Sequence, residues 1–104
     1  MKYSIRYLPS ARQDLINLVH YLVKEYGANE AAENLLKEID RRIAHLSEFP
    51  YAHPLYASPM RLPIEIRYLP VKNHIVFYTV LEPAHAVEIR RVLYARQNIA
   101  MQEI

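Results

Sequence analysis

Three arginines, Arg90, Arg91 and Arg96, crowd the closing stretch of the sequence, with Arg67 and Lys72 ahead of them. A guanidinium presents a planar fork of N–H donors that grips phosphate or carboxylate, so this group suits an RNA backbone or an acidic protein segment. The plainer alternative is charge on a solvated strand face, although three guanidiniums so close repel unless something compensates them. His74 opens the most apolar run in the chain and Tyr94 closes the last one, which makes His74 the one conceivable general base. The remaining histidines, His20, His45, His53 and His85, do not pair at ligand spacing, and the chain has no cysteine, so no metal site is expected. The carboxylates sit on helical stretches with basic residues four positions on, Glu33 with Lys37 and Glu38 with Arg42, a pattern of surface ion pairs and not of a catalytic carboxylate pair.

These side chains need a scaffold, and the hydrophobic pattern supplies one. Tyr3, Ile5 and Tyr7 alternate with Ser4, Arg6 and Leu8, the period of a half-buried strand. Pro9 ends it, and Ser10 with Gln13 three residues on has the spacing of a capping box. Leu15, Leu18, Val19, Leu22 and Tyr26 then form an amphipathic stripe that stops at Gly27, the only glycine in the chain. A second helix is predicted from Asn29 to Leu46 on the stripe Ala32, Leu35, Ile39, Ile43 and Leu46. The two make a helical hairpin. Periodicity vanishes from Ser47 to Pro63, where Pro50, Pro54, Pro59 and Pro63 interleave with Phe49, Tyr51, Tyr56 and Met60, so a long loop packing over the body is expected.

Three strands follow. Ile64 to Leu69 lies between Pro63 and Pro70, which cannot donate to a ladder and so favour an edge. Ile75 to Leu81 is apolar on both faces, Glu82 to His85 makes a turn, and Ala86 to Tyr94 completes the sheet. A short tail remains from Arg96 to Ile104. The order βααβββ implies an α+β fold, a small, mainly antiparallel four-stranded sheet with an N-terminal helical hairpin on one face. The expected core is Ile5, Leu15, Leu18, Val19, Leu22, Leu35, Ile39, Ile43, Leu46, Val76, Tyr78, Val80, Ile89 and Val92.

Composition narrows the function classes. A chain of 104 residues is one domain, residues 1–104, and its 52% hydrophobic and 23% charged content is that of a folded protein. A net charge of +2 is weak evidence for nucleic-acid binding. With one glycine, a glycine-rich phosphate loop is ruled out. No apolar run approaches the length of a membrane span and no signal segment opens the chain, so the expected compartment is the cytoplasm.

The opening YSIRYLPSARQDL (Tyr3 to Leu15), the LSEFP (Leu46 to Pro50) after the second helix, the IRYLPVKNHIVFYTV (Ile66 to Val80) and the closing EIRRVLYARQNI (Glu88 to Ile99) occur in one succession. In that order and spacing the whole chain resembles the RelE/ParE superfamily of toxins from type II toxin–antitoxin modules, also known as plasmid stabilisation systems. The resemblance implies a toxin neutralised by a cognate antitoxin, with no cofactor. RelE-type members are ribosome-dependent messenger-RNA endonucleases that use the ribose 2′-hydroxyl and several basic residues; ParE-type members poison DNA gyrase by binding it. Arg96 matches the arginine that nucleases carry after the last strand. Elsewhere Ile75 replaces a second arginine, Ile66 and Tyr68 replace basic residues, and Gln102 stands where a tyrosine is expected.

The chain therefore looks closer to the ParE branch, a gyrase inhibitor and no enzyme. The alternatives are a metal-independent RelE-like endoribonuclease using Arg96, Tyr94 and His74, with ribosome and messenger RNA as partners, or a decayed toxin that only binds its antitoxin. Arg67, Arg90, Arg91 and Arg96 are the expected contacts to target or antitoxin, and a homodimer is possible.

Overall fold

The computed structural model describes residues 2–27, 29–57 and 63–104. Pro59 and Met60 of the expected loop lie outside these. The elements are β1 (Ser4–Tyr7), α1 (Pro9–Tyr26), α2 (Glu30–His45), β2 (Arg67–Val71), β3 (His74–Leu81), β4 (Ala86–Tyr94) and a 3-10 turn at Ile99–Met101. The strands form one sheet in the order β1-β4-β3-β2, with β1 parallel to β4 and the other neighbours antiparallel. This is the α+β architecture expected from the sequence.

Local chemistry sets the helix ends. Pro9 occupies the first turn of α1, where its missing N–H costs nothing and its fixed φ suits a helix. Ser10 is thereby inside the helix, and the expected capping box does not form; the Ser10 hydroxyl instead donates to the Arg90 carbonyl at 2.8 Å. Gly27 ends α1 at φ 66° and ψ −168°, a conformation that only glycine adopts easily. Asn29 caps α2, its side chain accepting from the Ala32 N–H at 2.9 Å. Glu38 pairs with Arg41 at 2.8 Å and not with Arg42, the (i, i+3) neighbour being the nearer fork.

Leu18, Leu22, Ile39, Ile43 and Leu46 pack with Leu69, Val71, Val76, Tyr78, Val87, Ile89 and Val92, so the hairpin covers one sheet face. Ile5, Leu15, Leu35 and Val80 border this core half-buried. Val19 does not join it: it is 39% exposed, because one residue past Leu18 the helix has turned about 100° away from the sheet. The opposite sheet face carries a second apolar cluster absent from the expected core. Ile66, Phe77 and Leu93 are buried there beneath Tyr56, Tyr68, Ile75, Ile99 and Ile104.

Two irregularities matter for the arginines. The register between β3 and β4 shifts at Phe77/Tyr78, so that Phe77 faces Arg91 while Tyr78 faces Ile89, and Arg90 is the extra residue of a bulge. β1 ends opposite Ile89, and beyond it the start of α1 takes over the edge of β4. There the Leu8 N–H donates to the Ile89 carbonyl at 2.9 Å, Ser10 reaches Arg90, and the Val92 N–H donates to the Asp14 carboxylate at 2.9 Å.

β2 begins later than expected and runs through Pro70, which an edge strand tolerates because half of its N–H groups face away from the ladder. Residues 54–56 run beside its start, with Tyr56 N–H donating to the Ile66 carbonyl at 2.6 Å and Tyr68 N–H to that of Pro54 at 3.1 Å. The buried Tyr78 hydroxyl donates to the Pro50 carbonyl at 2.7 Å. Phe49 and Tyr51 of the same loop remain about half exposed, against the expectation that its aromatics pack inward.

Candidate functional site

The expected site residues do not gather at one end. Arg67 lies in the half of the sheet near the β3–β4 turn, where its guanidinium donates to the His53 carbonyl at 2.7 Å and lies 5.0 Å over the Tyr51 ring. Arg90 pairs with Glu88 at 3.0 Å and donates through Nε to the Ile104 carbonyl at 2.9 Å. Arg91 makes a two-point contact with Asp14, Nε to Oδ2 at 2.7 Å and Nη2 to Oδ1 at 2.9 Å, and also donates to the Glu103 carbonyl at 2.8 Å. Regular alternation would send consecutive arginines to opposite faces; the bulge lets both reach the chain's last two carbonyls. The repulsion expected among the arginines is thus answered within the chain. Arg96, exposed in the turn after β4, has no ion pair or side-chain hydrogen bond among the described residues.

His74, Tyr94 and Arg96 do share one end of the sheet. His74 and Tyr94 face each other across β3 and β4 with ring centroids 5.7 Å apart, edge to face. The Ala95 N–H donates to the Asn73 carbonyl at 2.8 Å, setting the Arg96 turn beside the β2–β3 turn. That turn has two central residues, Lys72 and Asn73, and Lys72 is held at φ 53°, a sparsely populated conformation for a lysine. His74 is half-buried, and burial lowers its pKa and favours the neutral ring. Its Nδ1 is buried with no hydrogen-bond partner among the described residues.

Lys72, His74 and Tyr94 open onto a cleft of about 730 Å³ between the hairpin and the end of β4, which Arg96 does not line. Leu18, Leu22, Ala32, Leu35 and Val92 form its floor; Tyr21, Tyr26, Tyr94, Lys72 and His74 stand around it. The lining charges Asp14 and Arg91 neutralise each other, which leaves Lys72 as the open cation among the described lining residues. Sequence reasoning missed Tyr21, placed Tyr26 only in a helix stripe and did not foresee Asp14 as the partner of Arg91. Nothing in local spacing links residues 77 positions apart.

A second polar group lies at the far end, by the β3–β4 turn. Glu82 accepts from Tyr3 at 2.8 and 2.9 Å and from Tyr51, while Tyr3 stacks on His85 at 3.8 Å. Those hydrogen bonds hold the Glu82 carboxyl below its usual range and push the Tyr51 phenol up to about 12. The group fastens the loop and β1 to the turn. Among the described residues, no cluster of three or more histidines and carboxylates could hold a metal, and no helix is long and apolar enough to cross a membrane.

The positions at which the nuclease branch needs cations are filled by packing. Ile66 is 2% exposed, and Tyr68 and Ile75 pack beside it on Phe77 and Leu93 under Ile99 and Ile104. The chain is thus a small α+β domain with apolar packing on both sheet faces and an open tyrosine-rimmed cleft. The family model for the ParE toxin of type II toxin–antitoxin systems, parDE, matches residues 5–99, and the chain belongs to that family. The fold is also that of a solved structure described as a chromosomal ParDE toxin–antitoxin system from P. aeruginosa, with a TM-score of 0.70 and 18% identity over 91% of this chain and 98% of that one. No curated protein matches the chain.

Proposed function

We propose that the chain is the toxin of a ParE-like module, acting on DNA gyrase by binding and kept silent by a cognate antitoxin in the cytoplasm. The observation that carries this reading is the apolar sheet face formed by Ile66, Tyr68, Ile75, Phe77 and Leu93. Stabilising a phosphorane without a metal takes several cations converging on one phosphate, and this apolar and aromatic face supplies none. On this reading Arg96, which makes no ion pair or side-chain hydrogen bond among the described residues, contributes by contact with the target. Arg67, Arg90 and Arg91 are already engaged within the chain and can join such contacts only through the N–H groups those bonds leave free.

One observation favours the second reading, a ribosome-dependent endoribonuclease: Arg96, His74 and Tyr94 stand at one end of the sheet. Two assays separate the readings. Purified gyrase and supercoiled DNA, with no ribosomes, are expected to accumulate cleaved DNA when the protein is added. Cleavage of messenger RNA in the ribosomal A site, abolished by Arg96→Ala while antitoxin binding persists, would instead establish the nuclease. Inactivity in both assays with retained antitoxin binding would mark a decayed toxin.

A further inference from the structure

The end of the sheet away from the cleft carries a second exposed aromatic surface. Phe49 and Tyr51, on the loop after α2, are 51% and 49% exposed. Cations stand between the two rings. The Phe49 ring lies 4.9 Å from that of His45, and the Arg67 guanidinium lies 5.0 Å over Tyr51 while donating to the His53 carbonyl at 2.7 Å. Arg42, exposed on α2 one turn before His45, makes no ion pair or side-chain hydrogen bond among the described residues, because Glu38 is taken by Arg41. Burial first, and then Arg42 and His45, lower the His53 pKa, and no described carboxylate opposes them. Two arginines and two histidines thus converge on one aromatic loop.

The surroundings say what fits. Two described carboxylates border the patch and both are engaged: Glu48 pairs with Lys2 at 3.3 Å, and Glu82 accepts from Tyr3 and Tyr51. Positive charge is left uncompensated, so the patch suits an anion. An acidic peptide would draw affinity from a ladder. Yet the stretch at 54–56 turns its Tyr56 N–H inward to Ile66 and opens on Pro54, which has no N–H to offer. A polynucleotide needs no ladder. Its bases stack on exposed rings whatever their sequence, and its phosphates take guanidinium N–H groups. Arg67 spends one nitrogen, Nη1, on the His53 carbonyl and keeps donors for a phosphate. A duplex hides its base faces, so exposed rings fit a single strand.

We propose that this patch binds single-stranded DNA, with bases stacked on Phe49 and Tyr51 and phosphates held by Arg42 and Arg67. The choice of DNA rests on the gyrase reading, since a protein seated on gyrase at a DNA break lies beside exposed strand. The proposal goes further in giving the chain a nucleic-acid contact of its own and in naming the surface that makes it.

The test uses the purified chain and a labelled thymine oligonucleotide of about 10 residues, within the roughly 4–16 nucleotides that a small single-strand site spans, with binding read by fluorescence anisotropy. Phe49→Ala, Tyr51→Ala and Arg42→Gln, all at exposed positions, are each expected to weaken binding at least about fivefold. Tyr51→Phe keeps the ring but releases Glu82, and Val23→Asp lies on α1; both should stay within about twofold. With two guanidiniums on phosphates, log affinity should fall against log salt with a slope of about −1.4, and Arg42→Gln should reduce it to about −0.7. DNA should bind at least as well as the same oligonucleotide in RNA, and better than its duplex or a polyglutamate of equal length. The reverse order in any of these arms, no binding of the parent, or folded variants that bind as the parent does, would overturn the proposal. In the gyrase assay Phe49→Ala and Arg42→Gln should lower the yield of cleaved DNA. If the parent gives cleaved DNA and these variants give as much, the proposal is wrong while the gyrase reading stands. If the oligonucleotide binds as described and gyrase accumulates no cleaved DNA, the gyrase reading fails and the single-strand site remains.

Discussion

Asp14 does two jobs at once. It pairs with Arg91 through both oxygens and accepts from the Val92 N–H, and both side chains are largely buried. Removing one partner of a buried pair leaves the other desolvated, so Asp14→Ala should cost about 3 kcal/mol in urea unfolding. The double change Asp14→Leu with Arg91→Met should cost less than that single change, because it leaves no stranded charge. His74 predicts a pH effect of definite sign. Burial depresses its pKa below 6.5, so the unfolded chain binds the proton more readily than the folded one. Its stabilising contribution is complete above about pH 6.5 and is lost as pH falls through the lower folded value. His53 shifts the same way, by burial first and then by Arg42 and His45. Melting temperature should therefore fall from about pH 7 to 5, with a shallower fall in His74→Phe. Glu82 works in a separate window, its contribution present above 4.5 and lost in more acid solution.

At the scale of elements, three described residues hold left-handed backbone, Gly27, Lys72 and His85, and the first two do so for different reasons. Gly27 has φ 66° and ψ −168° with nothing within 4 Å of where a Cβ would sit, so Gly27→Ala meets no clash and still should cost about 1–3 kcal/mol in backbone strain. Lys72 at φ 53° carries that kind of strain already, and Lys72→Gly should raise stability by up to about 1 kcal/mol if the lysine is kept for binding and not for the fold. Thermal unfolding of both variants checks the pair. The helices, β3 and β4 were legible from periodicity because each buries a face that repeats at 3.6 or 2.0 residues. The start of α1 was misread by one feature, since a proline at the first helical position outcompetes a serine cap. Val19 was misread because the apolar stripe on α1 extends past the face that the helix turns to the sheet, and Val19 lies about 100° round from Leu18. The bulge at Arg90 left no mark in composition, and it decides where two of the candidate binding arginines point.

For the molecule as a whole, apolar packing on both sheet faces separates core from partner surface. Phe77, 1% exposed in the second cluster, should cost about 3–5 kcal/mol on change to Ala, and Ile39, 2% exposed in the first, about 2–5 kcal/mol. Val19→Ala should stay within about 0.5 kcal/mol, and chemical unfolding of these three tests the division. The second cluster was legible only in β3, whose run is apolar on both faces; its other members come from the loop, two further strands and the tail, none of which repeats with the others. The site was legible only in part: His74, Tyr94 and Arg96 do share an end, whereas the grouping of Arg67 with Arg90 and Arg91 is dissolved by their separate partners.

The parallel pairing of β1 with β4 also governs when the protein can be finished. Ser4 lies opposite Ala86 and Tyr7 opposite Ile89, so the first strand made must wait for the last. At a synthesis rate of about 5–20 residues per second that delay is on the order of 4–16 s, during which the nascent helices carry an uncovered apolar stripe. Contacts this distant along the chain also slow refolding, because loop closure precedes any gain from pairing. Translation thus sets a clock on the folded state: a ribosome stalled before the codon for Ala86 would hold a chain whose sheet has no fourth strand and whose α1 edge contacts to β4 do not exist.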